Sequence, residues 1–303
     1  MIYIFTYKNR NTFLQRLHPL TGILLLIVYI ILFLQINNPI HLLIILVSLL
    51  VLAYLDDSLK DLLSYGKLIL PFTLLIAILN PIMVHDGSTV IYEGHINYPV
   101  LGPMRITLEA IIYGIFNGIR VMCVTLTFGL GNLIIHPDRA FGFFSKFLKK
   151  SSLLMSMTIR LFPTMMTSYE NIVNVEKLRG NKMFHKDMKK SIKCSGNIVK
   201  ILFLSSLEDS ADMAESMYSR GYGALKKRSS YFHEKLTHSD IFLILVCIFI
   251  FVYYAYFNFK GFNVLNFYPK VDSPIKALSV EGYILCIMMF LPSLICWGWK
   301  TWK

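Results

Sequence analysis

Two runs of uncharged, almost wholly apolar sequence, Thr21–Ile36 and Ile40–Leu55, lie back to back with only Asn37, Asn38 and Pro39 between them. A bilayer core of roughly 30 Å takes about 20 apolar residues as a helix. Lipid offers nothing to a bare backbone N–H or C=O, so a run of this kind is helical. The short polar break leaves room for a turn and nothing larger, which reads as an α-hairpin across a membrane. Composition agrees: the 303 residues are 55% hydrophobic and 16% charged, against roughly 45–50% and 25% for soluble domains. A disordered chain is excluded, and the balance argues against an ordinary soluble domain.

A third span covers about Lys67 to Val84, bounded by Pro71 and Asn80-Pro81. The fourth, about Ile106 to Ile135, contains Glu109 and Arg120 and is interrupted by Gly114, Gly118, Gly129 and Gly131. Small residues of this kind let helices pack closely. Glu109 stands near a helix start, where an acid suits the dipole. Arg120 either pairs with Glu109 or faces the bundle interior. Two more spans follow, about Ile241 to Phe257 and about Gly282 to Trp299. The expected fold class is an all-α integral membrane protein with about six transmembrane helices. Three regions are expected: 1–137 with four spans, 138–238 polar and cytoplasmic, and 239–303 with two spans.

Lys8, Arg10 and Arg16 precede a first span of full length without a small-residue cleavage site, so it is read as retained rather than as a signal peptide. With six spans, these cations fall on one side together with Lys60 and Lys67 (placed in the second connection), the Lys/Arg-rich central segment, and Lys300 and Lys303. The positive-inside rule then sets both termini and the central segment in the cytoplasm of a multi-pass cell-membrane protein. Lys+Arg 30 against Asp+Glu 18, net +12, is this bias; no nucleic-acid partner is expected.

The central segment carries the functional signal. Leu153, Met157, Leu161, Met165, Ile172 and Val175 recur at helical spacing over about Ser151 to Leu178, with Pro163 inside. A second long helix is expected from about Asp187 to Arg220, its apolar face including Met188, Ile192, Val199, Leu202, Met213 and Met217. A short basic helix, about Asp138 to Lys150, precedes them along the membrane surface. Ser206, Ser210 and Ala214, like Ser191 and Ser195, repeat every four residues and admit a close helix neighbour. The methionines, among them Met157, Met165, Met213 and Met217, offer an adaptable packing surface. Both helices end alike, in Leu178-Arg179-Gly180 and Ser219-Arg220-Gly221. Glycine past the last turn is a left-handed cap, and a cation there suits the dipole. An arginine at a helix tip also presents a fork of donors to a groove on a partner.

Catalytic and metal signals are weak. The five cysteines (Cys123, Cys194, Cys247, Cys286, Cys296) are far apart, with no C-x-x-C pair, and read as small fillers. His233-Glu234 with His238 has the wrong spacing for a zinc-protease helix. Neither a phosphate loop nor G-x-S-x-G occurs. No catalytic residues, metal site or cofactor are expected, and the chain is read as a non-enzyme.

In order along the chain, several pieces resemble the transmembrane T component of energy-coupling factor transporters, the cobalt-transport permease family. They are Leu17-His18-Pro19-Leu20-Thr21; Asn80-Pro81-Ile82 with His85-Asp86-Gly87; Ile106-Thr107-Leu108-Glu109-Ala110 with Tyr113-Gly114; Ile159-Arg160-Leu161-Phe162-Pro163; and the two Arg-Gly endings. The resemblance implies a scaffold joining two cytosolic ATP-binding-cassette ATPases to a membrane-embedded substrate-binding S component for vitamin or transition-metal uptake. It implies that Arg179 meets one ATPase and Arg220 the other, with Gly180 and Gly221 ending the coupling helices. The family's alanine before each arginine is here Leu178 or Ser219, and Gly22 replaces a basic residue. Two other classes compete. A secondary transporter would show inverted repeats and broken helices. An intramembrane enzyme would cluster His, Asp or Glu at membrane depth.

Overall fold

The computed structural model describes residues 10, 12–84, 87–98, 102–136, 139–140, 143, 151–180, 188–223, 236–261, 265, 267–268 and 279–302. The chain divides into two compact units, one formed by 1–140 with 235–303 and the other by 141–234.

The first unit opens on a four-residue helix, α1 (Phe13–Arg16), followed by α2 (Pro19–Gln35) and α3 (Pro39–Leu55). Both longer helices begin with proline at the first turn, where its missing N–H costs nothing. The preceding side chain caps each: His18 Nδ1 accepts from Leu20 N–H at 3.2 Å, and Asn38 Oδ1 from Ile40 N–H at 3.0 Å. α4 (Leu59–Met83) follows, then an antiparallel hairpin of β1 (Val90–Tyr98) and β2 (Gly102–Thr107), then α5 (Leu108–Ile134). After the second unit come α8 (His238–Phe259), α9 (Val280–Met288) and α10 (Leu291–Trp302). Among the described residues, four stretches are long and apolar enough to cross a bilayer: α4, α5, α8, and α9–α10 taken together. α2 and α3, at 17 residues each, are shorter apolar helices of about 26 Å. The protein is an all-α integral membrane protein apart from the hairpin.

The core is aliphatic and aromatic: Tyr29, Leu32, Phe33, Ile45, Leu49, Leu52, Leu62, Leu126, Leu130 and Phe257 are fully enclosed. Outward faces such as Phe72, Ile78, Phe128 and Phe249 stay exposed, as helices facing lipid require. Cys123, Cys247, Cys286 and Cys296 are buried free thiols within this packing.

Several boundaries differ from the sequence reading. α4 begins at Leu59, so Lys60 and Lys67 lie on that helix rather than in a connection. The segment read as a plain connection between Asp86 and Arg105 forms most of the hairpin, whose β2 runs directly into α5. The last span is interrupted. Proline at 292 has no N–H for the Met288 carbonyl and crowds it, so α9 stops at Met288 and α10 starts at Leu291. The Met289 carbonyl at the break accepts from Ser48 Oγ at 2.5 Å and from the Tyr29 hydroxyl at 3.3 Å. Hydroxyls of α2 and α3 thus satisfy this carbonyl from within the bundle. Glu109 and Arg120 do not meet. Glu109 accepts from Ser88 Oγ at 3.1 Å and Thr89 N–H at 3.2 Å. Arg120 donates to the Ile36 carbonyl at 2.8 Å and stacks over Phe116, its guanidinium carbon 4.6 Å from the ring centre.

The second unit contains α6 (Ser151–Leu178) and α7 (Met188–Ser219), which pack on each other. Among its described residues Val173, Glu176 and Ile198 are buried. Val175, Ile192 and Val199, placed on inward faces by spacing, are exposed instead. Both helices carry apolar residues on several sides, among them Phe162, Phe203, Leu204 and Leu207, so periodicity alone does not select the buried face. The expected surface helix at 138–150 lies almost wholly outside the described residues.

Candidate functional site

The two Arg-Gly endings close α6 and α7 in matching fashion. Gly180 has φ +80° and Gly221 φ +74°, the left-handed conformation that glycine adopts without a Cβ penalty. At the second ending the Gly221 N–H donates to the Tyr218 carbonyl at 2.9 Å, and the Tyr222 N–H to the Met217 carbonyl at 3.0 Å. This pair of bonds is a Schellman cap, and it places Arg220 as the last residue before the turn. At the first ending the Gly180 N–H donates to the Lys177 carbonyl at 3.0 Å, which sets Arg179 in the same position.

Both tips project. Leu178 is 88% exposed and Tyr218 is 83% exposed; Ser219 and Arg220 are exposed as well. The Arg179 side chain is 66% exposed, and its Nη1 donates to the buried Glu176 carboxylate at 3.2 Å. Glu176 therefore holds one nitrogen of the guanidinium while most of the side chain stays open to solvent. A Cβ added at Gly180 or Gly221 would meet nothing within 4 Å, so these glycines are needed for their backbone angle and not for space.

Of the remaining expected residues, Met157, Met213 and Met217 are half-buried, while Met165, Ser210 and Ala214 are exposed and Ser206 is half-buried. The serine hydroxyls are turned inward: Ser206 Oγ donates to the Leu202 carbonyl at 2.7 Å and Ser210 Oγ to the Ser206 carbonyl at 2.6 Å. With their hydroxyls bonded along the helix, these positions present a low, nearly apolar stripe.

Sequence reasoning missed a second group of polar residues, in the membrane unit. Asp240 is buried in the first turn of α8 and forms a capping box with Thr237. Its Oδ2 accepts from Thr237 N–H at 2.9 Å and from Thr237 Oγ1 at 2.5 Å; its Oδ1 accepts from His18 N–H at 2.8 Å and Thr21 Oγ1 at 3.2 Å. The pattern Thr-x-x-Asp ahead of an apolar run was the available signal. It indicates the cap; the tie to α2 is visible only in three dimensions.

Fold and tips together define a multi-helix integral membrane protein that carries a separate two-helix unit with exposed arginine-bearing ends. The chain belongs to the cobalt transport protein (CbiQ) family, whose model matches residues 10–231, and it is the transmembrane component of an energy-coupling factor transporter. Relatives bearing the name energy-coupling factor transporter transmembrane protein EcfT bear this out. That of Staphylococcus aureus (strain 04-02981) is 24% identical over 235 residues, covering 74% of this chain and 85% of the relative. The protein of Streptococcus equi subsp. equi (strain 4047) is 24% identical over 259 residues, covering 81% and 94%. The Bacillus subtilis (strain 168) protein is 22% identical over 236 residues, covering 74% and 86%.

Proposed function

We propose that this chain is the non-catalytic scaffold of its transporter, passing ATP-driven motion from two cytosolic ATP-binding-cassette ATPases to a substrate-binding S component that delivers a vitamin or transition metal. The observation that carries this reading is the matched pair of tips. Arg179 and Arg220 both stand between the last helical residue and a left-handed glycine, and both are exposed. A guanidinium held at a rigid helix end loses little freedom when it enters a groove lined with carboxylates or carbonyls.

In this reading Leu178-Arg179-Gly180 docks in one ATPase and Ser219-Arg220-Gly221 in the other. The stripe of Ser206, Ser210 and Ala214, with Met157, Met165, Met213 and Met217, packs against the S component or neighbouring helices. The two-helix unit and both termini are cytoplasmic, in the cell membrane, and regions 1–137, 138–238 and 239–303 act as membrane, coupling and membrane segments. Lipid is the other partner; nucleic acid, metal and cofactor have no role, and hydrolysis belongs to the ATPases.

The test is Arg179→Glu with Arg220→Glu in the intact complex. Loss of the ATPases on purification, with normal insertion of the chain, is the expected result; unchanged co-purification would overturn the docking assignment. Saturable ATP hydrolysis by the chain purified alone would overturn the non-catalytic role.

A further inference from the structure

Covalently, the two-helix unit is joined to the membrane unit at two crossings only, after residue 140 and before residue 235. Both crossings are tied, within the membrane unit, to the same short stretch of chain. At the outgoing crossing, Arg139 Nη1 donates to the Gln15 carbonyl at 2.7 Å. At the returning crossing, Asp240 accepts from His18 N–H and Thr21 Oγ1. The stretch they share, Gln15 to Thr21, is the bend between α1 and α2.

The bend is built to receive these bonds. The last carbonyls of a helix lack intrahelical donors. Gln15 Nε2 fills one for α5, donating to the Leu133 carbonyl at 2.8 Å. Arg139, just beyond α5, returns the favour at the end of α1. Asp240 serves two helix starts at once, capping α8 and accepting from the N–H of His18, the N-cap of α2. Leu14, Gln15, Leu17, His18 and Thr21 are all buried. The four residues of α1 are too few to hold a helix alone, so the bend keeps its shape through these ties.

We propose that the α1–α2 bend is the joint through which movement of the two-helix unit reaches the membrane unit, with Arg139 and Asp240 as its positioning residues. This rests on the coupling role proposed above. A pull on either crossing is delivered to Gln15–Thr21, and from there into α2 at its first turn and α5 at its last. Cutting the ties leaves ATPase docking at the tips intact while isolating the membrane helices from it.

The experiment is hydrogen–deuterium exchange on the complex purified with its ATPases, with and without ATP plus vanadate. It compares the natural chain with Arg139→Ala combined with Asp240→Ala, and with Arg139→Lys as the conservative variant. In the natural chain, trapping should change exchange at the ends of α6 and α7 and, by about fivefold, at the amides of residues 17–22. In the double variant the ends should still respond while the bend no longer does, and Arg139→Lys should keep most of the bend's response. If the pair fails to insert, the single variants are read in the same way. A bend that never responds, or that responds equally in the variants, overturns the proposal and leaves the coupling role standing. Helix ends that do not respond in the natural complex overturn the coupling role and the joint with it.

Discussion

The backbone N–H of His18 donates to Oδ1 of Asp240 at 2.8 Å, joining the start of α2 to the start of α8. One carboxylate thereby satisfies orphan donors of two helices whose N-terminal dipole ends both favour a negative charge. Asp240→Ala would strand His18 N–H and Thr21 Oγ1 in a buried site and remove the cap from the exposed Thr237 at the start of α8. A loss of about 3–5 kcal/mol is expected, read as a lower unfolding midpoint in detergent. Thr21→Val removes a single donor and should cost about 1 kcal/mol. Equal losses in the two variants would contradict the shared-cap account.

The glycines of α4 and α5 divide by what a methyl group would strike. A Cβ on Gly114 falls 2.9 Å from the Ala77 carbonyl oxygen and 3.1 Å from Asn80 Cβ, and one on Gly118 falls 3.0 Å from the Thr73 carbonyl oxygen. Backbone does not yield as a side-chain tip does, so alanine at either position should push α4 from α5 at a cost of about 1–3 kcal/mol. At Gly66 the nearest atom is Leu126 Cδ2 at 3.6 Å, ordinary contact. Gly66→Ala should be neutral or stabilising by up to about 1 kcal/mol, since alanine is the better helix former. Unfolding midpoints of the three single variants check the order.

Elements defined by local signals were legible in the sequence. Asn38 and Pro39 mark the start of α3, and Gly180 and Gly221 mark where α6 and α7 stop. The hairpin was not: Val90, Ile91 and Tyr92 are good strand formers, but they sit in a short polar segment where a turn and a strand compete. The break at Met289 depends on Pro292 together with hydroxyls from Tyr29 and Ser48, which lie in distant spans. Burial of Ile198 rather than Val199 was equally hidden, because α7 is apolar on both faces at that point. The tips are legible because their cap is local. The bend is not, because Asp240 and His18 meet only after folding.

Asp56, between α3 and α4, should make stability depend on pH. Burial pushes its carboxyl up to about 6, partly offset by the Thr12 hydroxyl, the Arg10 guanidinium and the Leu14 N–H beside it. The folded chain therefore holds this proton more tightly than the unfolded chain does. The proton favours folding below about pH 4, and that advantage is lost as pH rises through about 6, a span worth about 3 kcal/mol at most. Asp56→Asn should abolish the slope between pH 4 and 6 and raise the midpoint at neutral pH. A natural chain whose midpoint rises across that window would contradict the burial effect.

The glycine caps separate backbone shape from arginine chemistry at the tips. With nothing within 4 Å of a Cβ at Gly180 or Gly221, alanine at either is opposed only by its positive φ. The penalty is about 1–2 kcal/mol per site, confined to the last turn and the residues after it. Asparagine tolerates that region better and should cost less. Helix content should barely change, but the turn that holds Arg179 or Arg220 at the end of its helix would loosen. Gly180→Ala with Gly221→Ala is expected to weaken ATPase retention by roughly tenfold, about the 1.4 kcal/mol that one decade represents. The double asparagine variant should fall between that and the natural chain. Pull-down of the ATPases over a dilution series gives the ranking. Retention that follows arginine identity alone, indifferent to the glycines, would mean that the tips dock as loose side chains and not as capped helix ends.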